Sequence, residues 1–66
     1  MKYIIVLKNK KHNTIHNIDI ESISAYHATK ECRKEYSTIR FDIIGVYEEV
    51  DPCMFVIKKS DSYING

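Results

Sequence analysis

The run Tyr3-Ile4-Ile5-Val6-Leu7 constrains the fold of this chain more than any other stretch. Its residues are large, apolar and mostly β-branched, so they favour an extended strand. Side chains along a strand alternate between two faces. Tyr3, Ile5 and Leu7 therefore make one apolar face, and Ile4 and Val6 make the other. A strand that is apolar on both faces belongs at the centre of a sheet. The same run is as long as any apolar one in the sequence. It falls far short of the ~18 residues that a membrane span needs. It is also short for a signal-peptide core and lacks a small-residue cleavage site, which gives the expectation of a cytoplasmic protein and no membrane partner.

The chain has 66 residues. A chain near 60 residues buries only about 60% of the surface that its unfolded form exposes. That leaves room for a single small domain, residues 1–66, and little room for an enclosed cofactor pocket or a two-domain cleft. Hydrophobic residues at 44% and charged residues at 29% are ordinary for a folded chain and argue against disorder.

The formal net charge of +1 conceals a polarity. Residues 1–40 carry Lys2, Lys8, Lys10, Lys11, Lys30, Arg33, Lys34 and Arg40 against Asp19, Glu21, Glu31 and Glu35. Residues 41–66 carry Lys58 and Lys59 against Asp42, Glu48, Glu49, Asp51 and Asp61. A basic part and an acidic part in one molecule can steer partners of either sign.

The pattern predicts strands over 2–8, 14–20, 38–48 and 53–58, with one helix after the second strand. Residues 9–13 are polar and turn-like. In the second strand Ile18 and Ile20 share a face but Ile15 does not. Either a bulge near Asn17 restores the alternation or Ile15 sits on the outer face. Ser24 is the favoured helix N-cap, with Ser22 as the alternative. Ala25, Ala28, Thr29, Cys32 and Tyr36 then fall on one helical face, where the alanines and the cysteine allow close approach to a sheet. Lys30, Arg33 and Lys34 fall on the opposite face, interspersed with Glu31 and Glu35. Gly45 marks a bulge or bend in the third strand. Pro52 closes a turn over 49–52. In the fourth strand Cys53, Phe55 and Ile57 are expected on one face, Met54 and Val56 on the other. A brief extended piece is expected at Tyr63-Ile64. The fold class is α+β: a ββαββ antiparallel four-stranded sheet with one helix packed on one face.

No catalytic constellation is present. Phosphate-loop, nucleophile-elbow and zinc-protease motifs are absent, and Gly45 and Gly66 are the only glycines. Cys32 and Cys53 are too few for a disulfide scaffold and are expected to be reduced and buried. His12 and His16 lie four apart, but in a turn and a strand, where that spacing does not align two ligands. The chain is expected to be non-enzymatic, with no metal and no cofactor. Its basic turn, Lys8, Lys10 and Lys11 with His12, supplies candidate nucleic-acid contacts. One helix covers only one face of a four-stranded sheet, so an apolar open face is left to invite a partner or a second copy.

Several local strings carry a resemblance. The chain opens Met1-Lys2-Tyr3-Ile4-Ile5. Ile18-Asp19-Ile20-Glu21-Ser22-Ile23-Ser24 then leads into a helix with Ala25, Ala28 and Lys30. In these strings and in layout the sequence resembles a small phage-borne anti-CRISPR family, the ninth described against type I-F systems. It departs at Asp61-Ser62-Tyr63-Ile64-Asn65-Gly66, which lacks the tryptophan-containing basic finish of that family. The resemblance implies a stoichiometric inhibitor, acting in the host cytoplasm on the backbone subunits of the crRNA-guided surveillance complex, over the groove where target DNA pairs with the guide. It implies Tyr3, Lys30, Arg33 and Lys34 as partner-binding residues, and direct DNA contact by basic residues. The alternatives are a phage or mobile-element protein that binds another host protein, a weak nucleic-acid-binding module, and a homodimer built through the open sheet.

Overall fold

In the computed structural model the chain runs as β1 (Lys2–Asn9), β2 (Ile15–Glu21), α1 (Ala25–Glu35), β3 (Phe41–Asp51) and β4 (Val56–Lys59). The structure describes residues 1–51 and 53–60. The expectations attached to Pro52 and to Tyr63-Ile64 lie outside the described residues. The strands form one antiparallel sheet in the order β2-β1-β3-β4, with α1 on one face. This is the expected ββαββ arrangement, and the doubly apolar β1 is a central strand.

The core lies between α1 and the face of β1 that carries Tyr3, Ile5 and Leu7. Ala25, Ala28, Thr29 and Cys32 are the buried residues of the helix. Ile43 and Val46 complete the core from β3, with Ile18, Ile20, Tyr36 and Phe41 packed around it. The small helix residues let the backbone of α1 lie close to the sheet. Burial of Ile5, Leu7 and Val46 contributes about 2 kcal/mol each on transfer grounds.

Ile43 and Val46 are three residues apart, yet both face the helix. The β1–β3 register explains this: Val6 pairs with Gly45 and Leu7 with Ile43, so Ile44 is the extra residue of a bulge. The irregularity expected at Gly45 is thus found, and it returns β3 to the core after Ile43. β1 and β2 pair without a shift from Lys2–Glu21 to Lys8–Ile15. There is no bulge near Asn17, and Ile15 stands on the outer face.

Four expectations are corrected. The third strand begins at Phe41 rather than Thr38, because the Ser37 carbonyl accepts hydrogen bonds from the Arg40 and Phe41 amides and closes a turn. Ile39 is left 84% exposed in that turn. The strand also runs on to Asp51 instead of stopping before Glu49. The fourth strand begins at Val56 rather than Cys53. The Asp51 carboxylate accepts from the amides of Cys53 (3.0 Å) and Met54 (3.4 Å), and Phe55 takes a left-handed φ of 55°. Cys53, Met54 and Phe55 therefore sit in the turn and are exposed, Phe55 at 87%. Cys53 is free and exposed, not buried; Cys32 is free and buried as expected.

Candidate binding surface

The helix ridge is built from its start. Ser24 is the N-cap: its hydroxyl accepts from the His27 amide at 3.2 Å and lies 2.7 Å from His27 Nδ1. This fixes the rotation of α1, so Ala25, Ala28 and Cys32 face inward while Tyr26, Lys30 and Lys34 face solvent. The Lys30 ammonium lies 5.4 Å from the centroid of the Tyr26 ring, within cation–π range. The Lys34 ammonium pairs with Glu31 at 3.0 Å, one turn back. Lys30 and Lys34 thus stand along one exposed line with Tyr26 beneath them.

Arg33 does not join that line. Its guanidinium Nη1 donates to the Phe41 carbonyl at 2.9 Å and to the Tyr36 carbonyl at 3.3 Å. Its Nε is buried and has no hydrogen-bond partner among the described residues. Arg33 ties the end of α1 to the start of β3. Its long side chain reaches around the helix from a position that spacing alone assigns to the solvent face.

Tyr3 is also away from the surface. It is 5% exposed within the core, and its hydroxyl lies 3.9 Å from Met1 Sδ. Burial, with Glu48 nearby, raises its phenol pKa above the ordinary value. The strand pattern already grouped Tyr3 with Ile5 and Leu7; the partner role came from the resemblance. Burial likewise pushes the Cys32 thiol up, with Glu35 adding to the effect and Arg33 opposing it.

The basic turn is partly consumed by the fold. The Lys10 ammonium donates to the Thr38 carbonyl at 2.7 Å and lies 3.4 Å from Asp42. The Lys10 amide donates to the Arg40 carbonyl at 2.8 Å. These contacts bring Arg40, a distant residue in sequence, beside Lys11 and His12. Asn9, Lys10, Lys11, His12, Ile39 and Arg40 line an open concavity of about 580 Å³. Arg40 is the member that local charge clustering could not find, because it depends on the pairing of β1 with β3. Asn9 holds the turn: its side-chain oxygen accepts from the amides of Lys11 and His12, and Asn13 supplies a left-handed φ of 56°.

The face opposite α1 carries Lys2, Ile4, Val6 and Lys8 from β1, with Ile15, Asn17, Asp19 and Glu21 from β2. Tyr47 and Glu49 of β3 and Ile57 and Lys59 of β4 share it. Lys2 bridges Asp19 and Glu49, each at 3.6 Å. Helix α1 contacts β1, β2 and β3 but not β4, so the four residues of β4 are exposed. Among the described residues, no group of three His, Cys, Asp or Glu side chains is placed to hold a metal ion. No helix among the described residues is long and apolar enough to cross a membrane. No protein-family model, curated protein or solved structure matches the chain.

Proposed function

We propose that this protein is an anti-CRISPR inhibitor without enzymatic activity. It binds the crRNA-guided type I-F surveillance complex (Cascade/Csy) on its backbone subunits and blocks hybridisation of target DNA. The observation that carries this reading is the helix ridge. The stretch that resembles the anti-CRISPR family, Ile18 to Lys30, leads through the Ser24 cap into a helix that presents Lys30 and Lys34 to solvent. A target that recognises a heteroduplex through geometry and backbone is open to blockade by a protein seated in its path. Lys30 and Lys34 are the contacts assigned to that interface; Arg33 supports it by holding the end of α1 in place. A pull-down with the type I-F complex tests the reading. Wild-type chain should be retained at fixed stoichiometry, and Lys30→Glu/Lys34→Glu should lose most of that retention. Absence of retention rejects the reading; equal retention of the double variant rejects the choice of site.

A second reading is a weak nucleic-acid-binding module. It is favoured by the concavity that gathers Lys11, His12 and Arg40, with Lys8 and Lys10 as neighbours on β1 and the turn. Phosphate contacts there would make DNA affinity fall steeply with salt, and neutralising Lys8 and Lys11 would flatten that slope.

A further inference from the structure

We propose that the free edge of β2 takes up an extended basic segment of a partner protein as a further, antiparallel strand of the sheet. β2 is an edge strand in the order β2-β1-β3-β4. Its ladder with β1 runs without a bulge from Lys2–Glu21 to Lys8–Ile15. Just beyond its two ends, the Asn9 amide donates to the Thr14 carbonyl and the Ser22 amide to the Met1 carbonyl, each at 2.9 Å. Antiparallel pairing alternates along a strand, so His16, Ile18 and Ile20 turn their backbone groups toward β1. Ile15, Asn17, Asp19 and Glu21 turn theirs outward, where no hydrogen-bond partner meets them among the described residues. The opposite edge, β4, has four residues, two of which are Lys58 and Lys59. A short strand carrying lysines is guarded against edge pairing; β2 has seven residues and no lysine.

Beside this edge a groove of about 340 Å³ runs between β2 and α1. Half-buried Ile18, Ile20 and Tyr36 and buried Cys32 line it, together with the exposed Glu31 and Glu35. An added strand lies about 4.8 Å beyond β2, so its helix-side side chains rest over this groove, where apolar groups fit. On its other side, its residues stand directly opposite Asp19 and Glu21, where opposite charge stabilises the pair. Asp19 already meets Lys2 at 3.6 Å, Glu21 the Met1 ammonium at 3.0 Å, and Glu31 meets Lys34 at 3.0 Å. These are exposed pairs that contribute little and leave the carboxylates open to a further cation. Glu35 has no ion-pair partner among the described residues. Carboxylates thus flank the edge on both faces, and no basic residue lines the groove. This selects the occupant. A second copy adding β2 to β2 would set Glu31 and Glu35 of one groove against the same pair of the other. A nucleic acid is anionic and has no peptide edge with which to complete the ladder. An extended segment that alternates apolar residues with Lys or Arg matches both faces and the backbone between them. The proposal does not depend on the function proposed above.

Amide hydrogen exchange of the full chain, read by NMR with and without a synthetic peptide of alternating lysine and valine long enough to span β2, tests the proposal. Saturating peptide should slow exchange of the Asn17 and Asp19 amides by about tenfold or more and leave the Ile57 and Lys59 amides of the other edge unchanged. Methylating the backbone nitrogens of the peptide's lysines should abolish the effect, because in an antiparallel pair the residues opposite Asp19 and Glu21 are the ones that donate to β2. Methylating those of its valines should leave the effect in place. A peptide of alternating glutamate and valine should have none. Asn17→Pro removes an outward-facing donor without touching the β1 ladder and should weaken peptide binding by about tenfold. If that variant melts early, the exposed Glu35→Lys replaces it. No slowing with the lysine peptide overturns the proposal, as does equal slowing by the glutamate peptide or slowing confined to Ile57 and Lys59. Unaltered binding in the folded variant overturns it too. Slowing produced by raising the chain concentration alone assigns the edge to a second copy and overturns the choice of partner. Loss on valine rather than lysine methylation overturns the antiparallel arrangement.

Discussion

The ring of Tyr47 lies across Gly45, two residues earlier on the same face of β3. A Cβ at position 45 would stand 2.9 Å from Tyr47 Cε2 and 3.3 Å from its hydroxyl oxygen. The ring buries a glycine that would otherwise open the sheet at the bulge, the arrangement by which an aromatic side chain rescues a strand glycine. Tyr47→Ala should therefore lower stability by about 1 kcal/mol, the upper range for such strand pairs. Gly45→Ala should displace the ring and also destabilise. Since one contact underlies both effects, the double variant should cost less than the sum by about 0.5 kcal/mol or more. Urea unfolding of the four proteins checks this, and strict additivity would contradict it.

Ser24 and Arg33 hold the two ends of α1. Ser24→Ala should cost about 1 kcal/mol through loss of the cap. Arg33→Ala should cost about 2 kcal/mol, because it breaks hydrogen bonds from a charged donor to the Tyr36 and Phe41 carbonyls. Lys30→Glu and Lys34→Glu should each stay within about 0.5 kcal/mol, as exposed substitutions do. Thermal melts separate these groups. An Arg33 variant as stable as wild type would remove its structural role and return it to the exposed ridge.

Stability should fall on the alkaline side. Burial raises the Cys32 thiol above its ordinary 9.0 and the Tyr3 phenol above its ordinary 10.0. Both groups keep their protons longer folded than unfolded. Above those ordinary values the native state thus binds more protons, and unfolding free energy declines with pH. The contribution is whole below pH 9.0, begins to fall there through Cys32, and falls further above pH 10.0 through Tyr3. Urea midpoints measured upward from pH 8 should decrease, and Tyr3→Phe should remove the later part of the decline. A flat profile would contradict the burial of both groups.

Where periodicity was the signal, the fold could be read from the residues. Tyr3 to Leu7 pointed to a central strand, Ser24 to a helix start, and Gly45 to the bulge. Where a distant partner or a side chain overrides periodicity, it could not. Ile39 alternates with Phe41 and Ile43 and so extends the strand backward on paper. The turn closed by Ser37, and the Arg40 carbonyl held by the Lys10 amide, take those residues instead. Cys53, Met54 and Phe55 have strand composition, yet one carboxylate, Asp51, captures two of their amides. The surface was legible to the same degree. Lys30 and Lys34 are exposed as their helical spacing required. Arg33 turns inward because its reach exceeds what spacing encodes. The concavity at Arg40 exists only once β3 pairs with β1.

The proposed inhibition places this chain in the path of target DNA on the type I-F surveillance complex. Hybridisation of labelled target DNA to that complex, measured as the chain is titrated in, tests it most directly. Hybridisation should be abolished at a fixed molar ratio of chain to complex. Lys30→Glu/Lys34→Glu, folded as wild type, should leave it intact. Undiminished hybridisation in a large excess of wild-type chain would rule out the proposed inhibition.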